Sequence, residues 1–391
     1  MYFSLNISLI VIVLLSLAAV LSLIYVLWQW SRTWRLQRFV KGSEAKRAYV
    51  ETLPPVTVIV DACTETMNLE QIIQLIMEQD YPEFEVIVVA NSNSDWVDNV
   101  LSEMKARYDN LRITFSPRET RALSRKKLAL MIGYKSAMYD IVVTTCANCR
   151  PMSTLWLATI ARNFVEGTDV VLGYSHYRYN RDKQSGHAYR VFDSVTTGVQ
   201  WLVRAIGNRT FRGTSENMAF RKQLFFDNNG YADSMHLIWG EDDVFLKKIV
   251  TKTNTRVELA PESDVQTYFE DYEFAHTSMK MHRDFTTRLV SWTAPLAQGV
   301  LSSCYWLRLL LAVAAIVLDY RNVLVVAAAV LLVILSSVFS AMSFGRNCRL
   351  LHAPRFPMLV PFFTLARPLV NLKYRIKEAR HRSSNYTSMF S

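Results

Sequence analysis

The sequence predicts an α/β domain with a largely parallel sheet, carried between membrane segments, and three observations predict it. Short β-rich runs alternate with helically spaced segments over residues 55–265, the pattern of parallel strands joined by crossover helices. Apolar residues gather near the two ends of the 391-residue chain in runs long enough to cross a bilayer. Clusters of Lys and Arg stand directly beside those runs.

The elements follow in order. Residues 5–27 are apolar apart from Asn6 and a few serines, and a bilayer core needs about 20 helical residues. No Lys or Arg precedes this run, and Tyr25, Trp28 and Trp30 close it as an interfacial belt. An uncleaved anchor over 5–28 is therefore expected, not a cleaved leader. Arg32, Arg35, Arg38, Lys41, Lys46 and Arg47 face one acid, Glu44, which puts this flank in the cytoplasm and the N-terminus outside. In the central domain, residues 50–290, strands are expected at 56–60, 84–89, 111–115 and 141–143, and helices at 69–77, 95–108 and 123–137. Ligands of open α/β sheets lie beyond the carboxyl ends of strands, here residues 61–65, 90–93 and 145–149.

Residues 300–318 and 323–344, linked by Asp319-Tyr320-Arg321-Asn322, predict a transmembrane hairpin over 300–344. Arg308 within it is costly at mid-bilayer and should face a partner helix or snorkel. Arg346, Arg349 and Arg355 again mark the cytoplasm. Over 355–383, a proline-interrupted apolar stretch and a basic tail predict an interfacial helix on anionic headgroups.

Composition agrees with a membrane protein. Hydrophobic residues make up 51%, the formal net charge is +10, and the mean hydropathy is +0.10. Basic clusters beside apolar runs point to a membrane face rather than nucleic acid. The five cysteines, at 63, 146, 149, 304 and 348, are too few and scattered for a disulfide framework and suit a reducing compartment.

Five motifs carry a specific resemblance. They are the strand 56–60 followed by Glu65; Gln79-Asp80-Tyr81-Pro82 and the strand after it; Arg125-Lys126-Lys127-Leu128-Ala129-Leu130; Asn217-Met218-Ala219-Phe220-Arg221-Lys222; and Gly240-Glu241-Asp242-Asp243. Over residues 50–290 the chain resembles the membrane-bound family-2 glycosyltransferases of the GT-A fold. The resemblance implies a nucleotide-sugar donor and a lipid-linked or polysaccharide acceptor. It also implies an inner-membrane location facing the cytoplasm, a role in cell-envelope polysaccharide assembly, and contact with other glycan-assembly proteins.

The family's site residues carry over unevenly. Glu65 matches the first-strand acid that contacts the nucleotide. Asn91 stands where an acid is usual, and an amide still donates and accepts hydrogen bonds. Cys146-Ala147-Asn148 replaces the usual Asp-Ala-Asp. Hard Mg²⁺ and Mn²⁺ want oxygen ligands, so Cys146 and Asn148 would meet the donor without a metal, and no metal cofactor is expected. Asp242 matches the base that deprotonates the acceptor, with Glu241 and Asp243 in support. The same acids would also suit the N-terminus of a helix over 244–250. Gly213-Thr214-Ser215-Glu216-Asn217 lacks the family's second glycine and arginine. Lys280 and Arg283 align with the family's Gln-x-x-Arg pair and would neutralise a leaving diphosphate, or form a basic face on headgroups. Two other readings stand beside enzymatic transfer. One is a catalytically inactive pseudo-glycosyltransferase acting as a scaffold. The other rests on Cys146, Cys149 and Cys63, as a zinc or redox site or simply as buried packing.

Overall fold

A computed structural model of the chain describes residues 7–42, 47–62, 68–91, 95–116, 124–178, 186–235, 237 and 239–385. It opens with a long apolar helix, α1 (Leu9–Gly42). The first half of the central domain then alternates strand and helix: β1 (Val56–Ala62), α2 (Leu69–Met77), β2 (Phe84–Asn91), α3 (Asp95–Arg107), β3 (Leu111–Ser116), α4 (Arg125–Ser136) and β4 (Ile141–Cys146). Shorter pieces follow: β5 (Cys149–Pro151), α5 (Trp156–Ala161), β6 (Val170–Leu172) and β7 (Ser175–Tyr177). Next come α6 (His187–Ile206), β8 (Met218–Arg221), α7 (Gln223–Asp227), α8 (Val244–Ile249), β9 (Thr255–Val257) and β10 (Val265–Thr267). Four long helices complete the chain: α9 (Tyr272–Val290), α10 (Thr293–Leu318), α11 (Val323–Leu350) and α12 (Val360–Asn385).

The main sheet runs β3-β2-β1-β4-β8-β6-β9. Its first four strands are parallel, and β8 pairs antiparallel with both β4 and β6. A second sheet, β5-β10-β7, covers the end of β4. The strands run past their expected ends because Asp61 and Cys146 remain in register with each other, as do Ala62 and Ala90. Alternation along each strand divides the core into two layers. Ile59, Ile87 and Val142 pack with Leu130 of α4 on one face. Val58, Val60, Val86 and Val88 pack with Ile73, Leu101 and Trp156 on the other.

Three helices, α1, α10 and α11, are long and apolar enough to cross a membrane. Helix α1 is longer than its apolar run and carries the basic flank within it to Gly42. Arg308 faces its neighbours, as its cost in a bilayer requires. It is buried, lies 4.3 Å from the Tyr305 ring and 5.2 Å from that of Tyr25, and bonds the Ser336 hydroxyl. The C-terminal stretch forms one helix, α12, which runs on through Pro368. It exposes Leu369, Leu372 and Ile376 and turns Arg367 inward onto Asp193 at 2.7 Å. The segment 173–204, which shows no mechanistic motif in sequence, supplies β7 and α6. In α6, Val191, Val195, Val199 and Leu202 form one buried stripe, the spacing of an amphipathic helix.

Close helix–sheet approach depends on Gly133. A Cβ there would lie 2.6 Å from Ile59 Cγ2 in β1. Gly133→Ala should therefore lower unfolding stability by about 1–3 kcal/mol, read as a fall in the denaturation midpoint of the detergent-solubilised protein.

Candidate functional site

The carboxyl end of β4 is closed by protein contacts. Asn148 donates from Nδ2 to the Tyr268 carbonyl at 2.8 Å, and the Tyr268 N–H donates to the Asn148 carbonyl at 2.9 Å. The Cys149 thiol lies 3.5 Å from Asn148 Oδ1. The amide N–H thus ties the β4–β5 turn to the end of β10, while Oδ1 is engaged within the turn by Cys149. Cys146 is buried, and the Cys149 side chain beside it, together with burial, holds its thiol well above the ordinary value. A protonated thiol and a committed amide are a poor donor set for a hard divalent cation. Among the described residues, no group of three or more His, Cys, Asp or Glu side chains is arranged to hold a metal. The raised thiol of Cys146 also disfavours a reactive role for that residue, since the thiolate is the nucleophile and the metal ligand.

The acidic motif faces this strand end. Gly240 opens it at φ 123°, a backbone region that glycine enters without a Cβ penalty. Glu241, Asp242 and Asp243 are all buried, and each meets a different cation. Lys126, from the first turn of α4, lies 3.0 Å from Glu241 Oε1. Arg283 of α9 pairs with Asp242 Oδ2, while the Ser215 N–H donates to Asp242 Oδ1 at 2.8 Å. Arg212 reaches Asp243 Oδ2 at 3.1 Å, and the Thr286 hydroxyl donates to the same oxygen. Trp239 joins the two cations nearest the centre: Lys126 sits 5.2 Å and Arg283 5.5 Å from its ring, within cation–π range.

These surroundings separate the three acids. Burial raises the Glu241 carboxyl above the usual range, against the pull of Lys126. Its Oε2 has no hydrogen-bond partner among the described residues. Burial would raise Asp242 too, but Arg283, Lys126 and the Ser215 backbone bond hold it below the usual range. Asp243 is a helix cap, accepting from the Val244 N–H at 2.8 Å at the start of α8. The neighbouring Asp242 adds to the rise at Glu241, but after burial.

The structure brings Arg283 to the acids but not Lys280. One turn back along α9, the Lys280 ammonium lies 3.1 Å from Asp193 of α6 and 3.6 Å from Asp284. Asp193 offers a closer buried counter-charge than anything on the donor side. Glu65 and Cys63 lie outside the described residues, as does the side chain of Asn91. Glu216 is buried and bonded to Ser175 and Thr214. Asn217 is a structural link, accepting from Trp156 Nε1 at 3.0 Å and donating to the Tyr174 and Ser263 carbonyls.

Sequence reasoning passed over Lys126, Lys127, Trp239 and Arg212. A signal was present for the lysines. Arg125, Lys126 and Lys127 fill the first turn of α4, where cations oppose the helix dipole. A breach of that local rule marks a residue held for another purpose. Lys127 clasps the segment leading to the acids, donating to the Ser234, Leu237 and Trp239 carbonyls, the last two at 2.9 Å. Burial brings its pKa down to about 8.

The mixed sheet has a GT-A-like fold and is joined to helices apolar enough to cross a membrane, and the family match makes the chain a glycosyltransferase. The chain belongs to glycosyl transferase family 21, whose model matches residues 14–375; the motifs had pointed to family 2. Glycosyltransferase AglE of Haloferax volcanii is 24% identical over 199 residues, which is 50% of this chain and 62% of that protein. The chain therefore spans less than two thirds of that relative. The solved mannosyltransferase PcManGT from Pyrobaculum calidifontis, a complex with GDP-Man and Mn²⁺, superposes with a TM-score of 0.55 at 18% identity. That likeness of fold covers 92% of this chain and 99% of the other.

Removing the clasp should be felt globally. Lys127→Met leaves three carbonyls without their donor and should cost about 2–4 kcal/mol of stability. Chemical denaturation monitored by Trp fluorescence measures it.

Proposed function

We propose that the protein transfers a sugar from a nucleotide-diphosphate donor to an acceptor in the membrane, with inversion and without a divalent metal. The observation that carries this reading is the buried cluster in which Lys126 and Arg283 flank Glu241 and Asp242 beside the end of β4. The acceptor hydroxyl oxygen attacks the anomeric carbon from the face opposite the diphosphate. The carbon–oxygen bond to the diphosphate breaks, its electron pair leaves with the diphosphate, and the hydroxyl proton passes to Asp242. Lys126 and Arg283 neutralise the departing charge, a task that Lys280, turned toward α6 and away from the acids, does not share. The basic flanks of α1 and α11 favour a domain on the cytoplasmic side.

Donor binding tests the metal-free part. Titrating detergent-solubilised full-length protein with UDP- and GDP-sugars should give the same affinity in EDTA and in Mn²⁺. Lys126→Met should weaken donor binding by about tenfold or more. Strong Mn²⁺ dependence would overturn the metal-free claim. A folded protein that binds no sugar nucleotide would instead support the scaffold alternative.

The pH profile tests the base. With Asp242 held down, kcat/KM should fall only as pH drops below the ordinary carboxylate value of about 4. Arg283→Met removes the cation that depresses it, so the acid limb should move to higher pH. A limb above the ordinary range that Arg283→Met leaves in place would assign the base to Glu241.

A further inference from the structure

Lys126 and Arg283 come from α4 and α9, far apart in sequence, yet both lie against one ring. The Lys126 ammonium is 5.2 Å and the Arg283 guanidinium 5.5 Å from the centre of the Trp239 indole. Burial would lower both cations. Glu241 nevertheless holds the Lys126 ammonium well above its ordinary value, and Asp242 holds the Arg283 guanidinium above its own. Both therefore stay charged. Two like charges brought to one ring repel, and buried charges are little screened by salt.

Glu241 and Asp242 balance the two cations one each, but a carboxylate also takes up the N–H groups that it pairs with. An indole face differs, because its quadrupole attracts a cation and occupies none of its donors. Spare donors are present. Arg283 Nε is buried and has no hydrogen-bond partner among the described residues. An ammonium has three N–H groups, and Lys126 forms one ion pair among the described residues, with Glu241. A buried guanidinium N–H without an acceptor is costly unless a ligand supplies one.

The backbone sets the ring in place. Lys127 clasps the Trp239 carbonyl at 2.9 Å, and that clasp uses the backbone of residue 239 and not its side chain. Trp239 is only partly buried and directly precedes Gly240, where the chain turns into the acids. A divalent ion concentrates two charges at one point. At a strand end whose Asn148 and Cys146 suit such an ion poorly, two side chains must do the same against their own repulsion.

We propose that Trp239 is a positioning residue: its indole holds Lys126 and Arg283 side by side with donors to spare, and the pair grips a diphosphate as one doubly charged unit. Its part in sugar transfer rests on the glycosyl-transfer reading, whereas its hold on the two cations stands on the ring contacts alone. Trp239 acts through the cations and not on the reacting atoms.

The test is isothermal titration of full-length protein, in detergent and EDTA, with inorganic pyrophosphate and inorganic orthophosphate. Trp239→Leu should weaken pyrophosphate about tenfold and Trp239→Phe about threefold, the order of cation–π strength. Orthophosphate, too small to need both cations at once, should change by no more than about twofold. A general loss of packing would weaken both anions alike. Where Trp239→Leu does not fold, the Trp239→Phe step carries the same comparison. Equal pyrophosphate affinity in the wild type and the variants would overturn the positioning role. So would a matching fall for orthophosphate, or a wild type that binds no pyrophosphate. UDP- and GDP-sugar titrations of the same samples separate this proposal from the transfer reading. Graded pyrophosphate binding without sugar-nucleotide binding sinks the transfer reading and keeps the role of Trp239. Sugar-nucleotide binding that is indifferent to Trp239→Leu does the reverse.

Discussion

The structure turns on charge neutrality around three buried neighbouring carboxylates. Glu241, Asp242 and Asp243 are each no more than 2% exposed, and an uncompensated buried charge costs several kcal/mol. Neutrality is reached by drawing one cation from each of three distant segments: Lys126 from α4, Arg283 from α9 and Arg212 from the loop before β8. The helix dipole of α8 adds to this by capping on Asp243. The acids therefore do more than offer chemistry. They fix where α4 and α9 meet the edge of the sheet, and Lys127 beside Lys126 fixes the chain that brings the acids there.

Much of the fold was legible because it rests on local periodicity. The spacing of Leu69, Ile72, Ile73 and Ile76 marks α2, and the β-rich runs 56–60 and 84–89 mark strands whose alternate residues feed two core layers. The ends of β1 and β4 were less legible. Asp61 and Cys146 extend their strands through pairing with each other, across more than eighty residues of sequence. Helix α6 carries the same kind of spacing in Val191, Val195, Val199 and Leu202, but its role lies in Asp193, whose partners come from distant segments and form no motif.

The same distinction explains the site. The acidic motif is contiguous and readable, whereas the pairing of Arg283 with Asp242 joins segments far apart in sequence. Lys280, from the same motif, is diverted because Asp193 competes for it with a contact of 3.1 Å. Asn148 reads as a degraded ligand in sequence, yet its amide donates to Tyr268, a bond that a carboxylate could not make. The replacement of an acid there has a structural use that only the neighbouring loop reveals.

Asp193 gives the molecule a second centre of charge. It is buried, and although burial would raise its carboxyl, Lys280, Arg367 and His276 hold it well below the usual range. Those partners come from α9 and α12, so one carboxylate on α6 ties these three helices together. Helix α9 is therefore held at two points. Lys280 binds it to the membrane-side centre and Arg283 to the acids, three residues apart on one rigid element. Only Ser291 and Trp292 separate its end from α10, which is long and apolar enough to cross a membrane. Two routes join this centre to the acids: α9, which carries both Lys280 and Arg283, and Arg212, which pairs with Asp243 and donates to the Arg283 carbonyl at 2.7 Å. Both pass through helix α9 or its backbone, so this helix, more than the sheet, couples the two centres of charge.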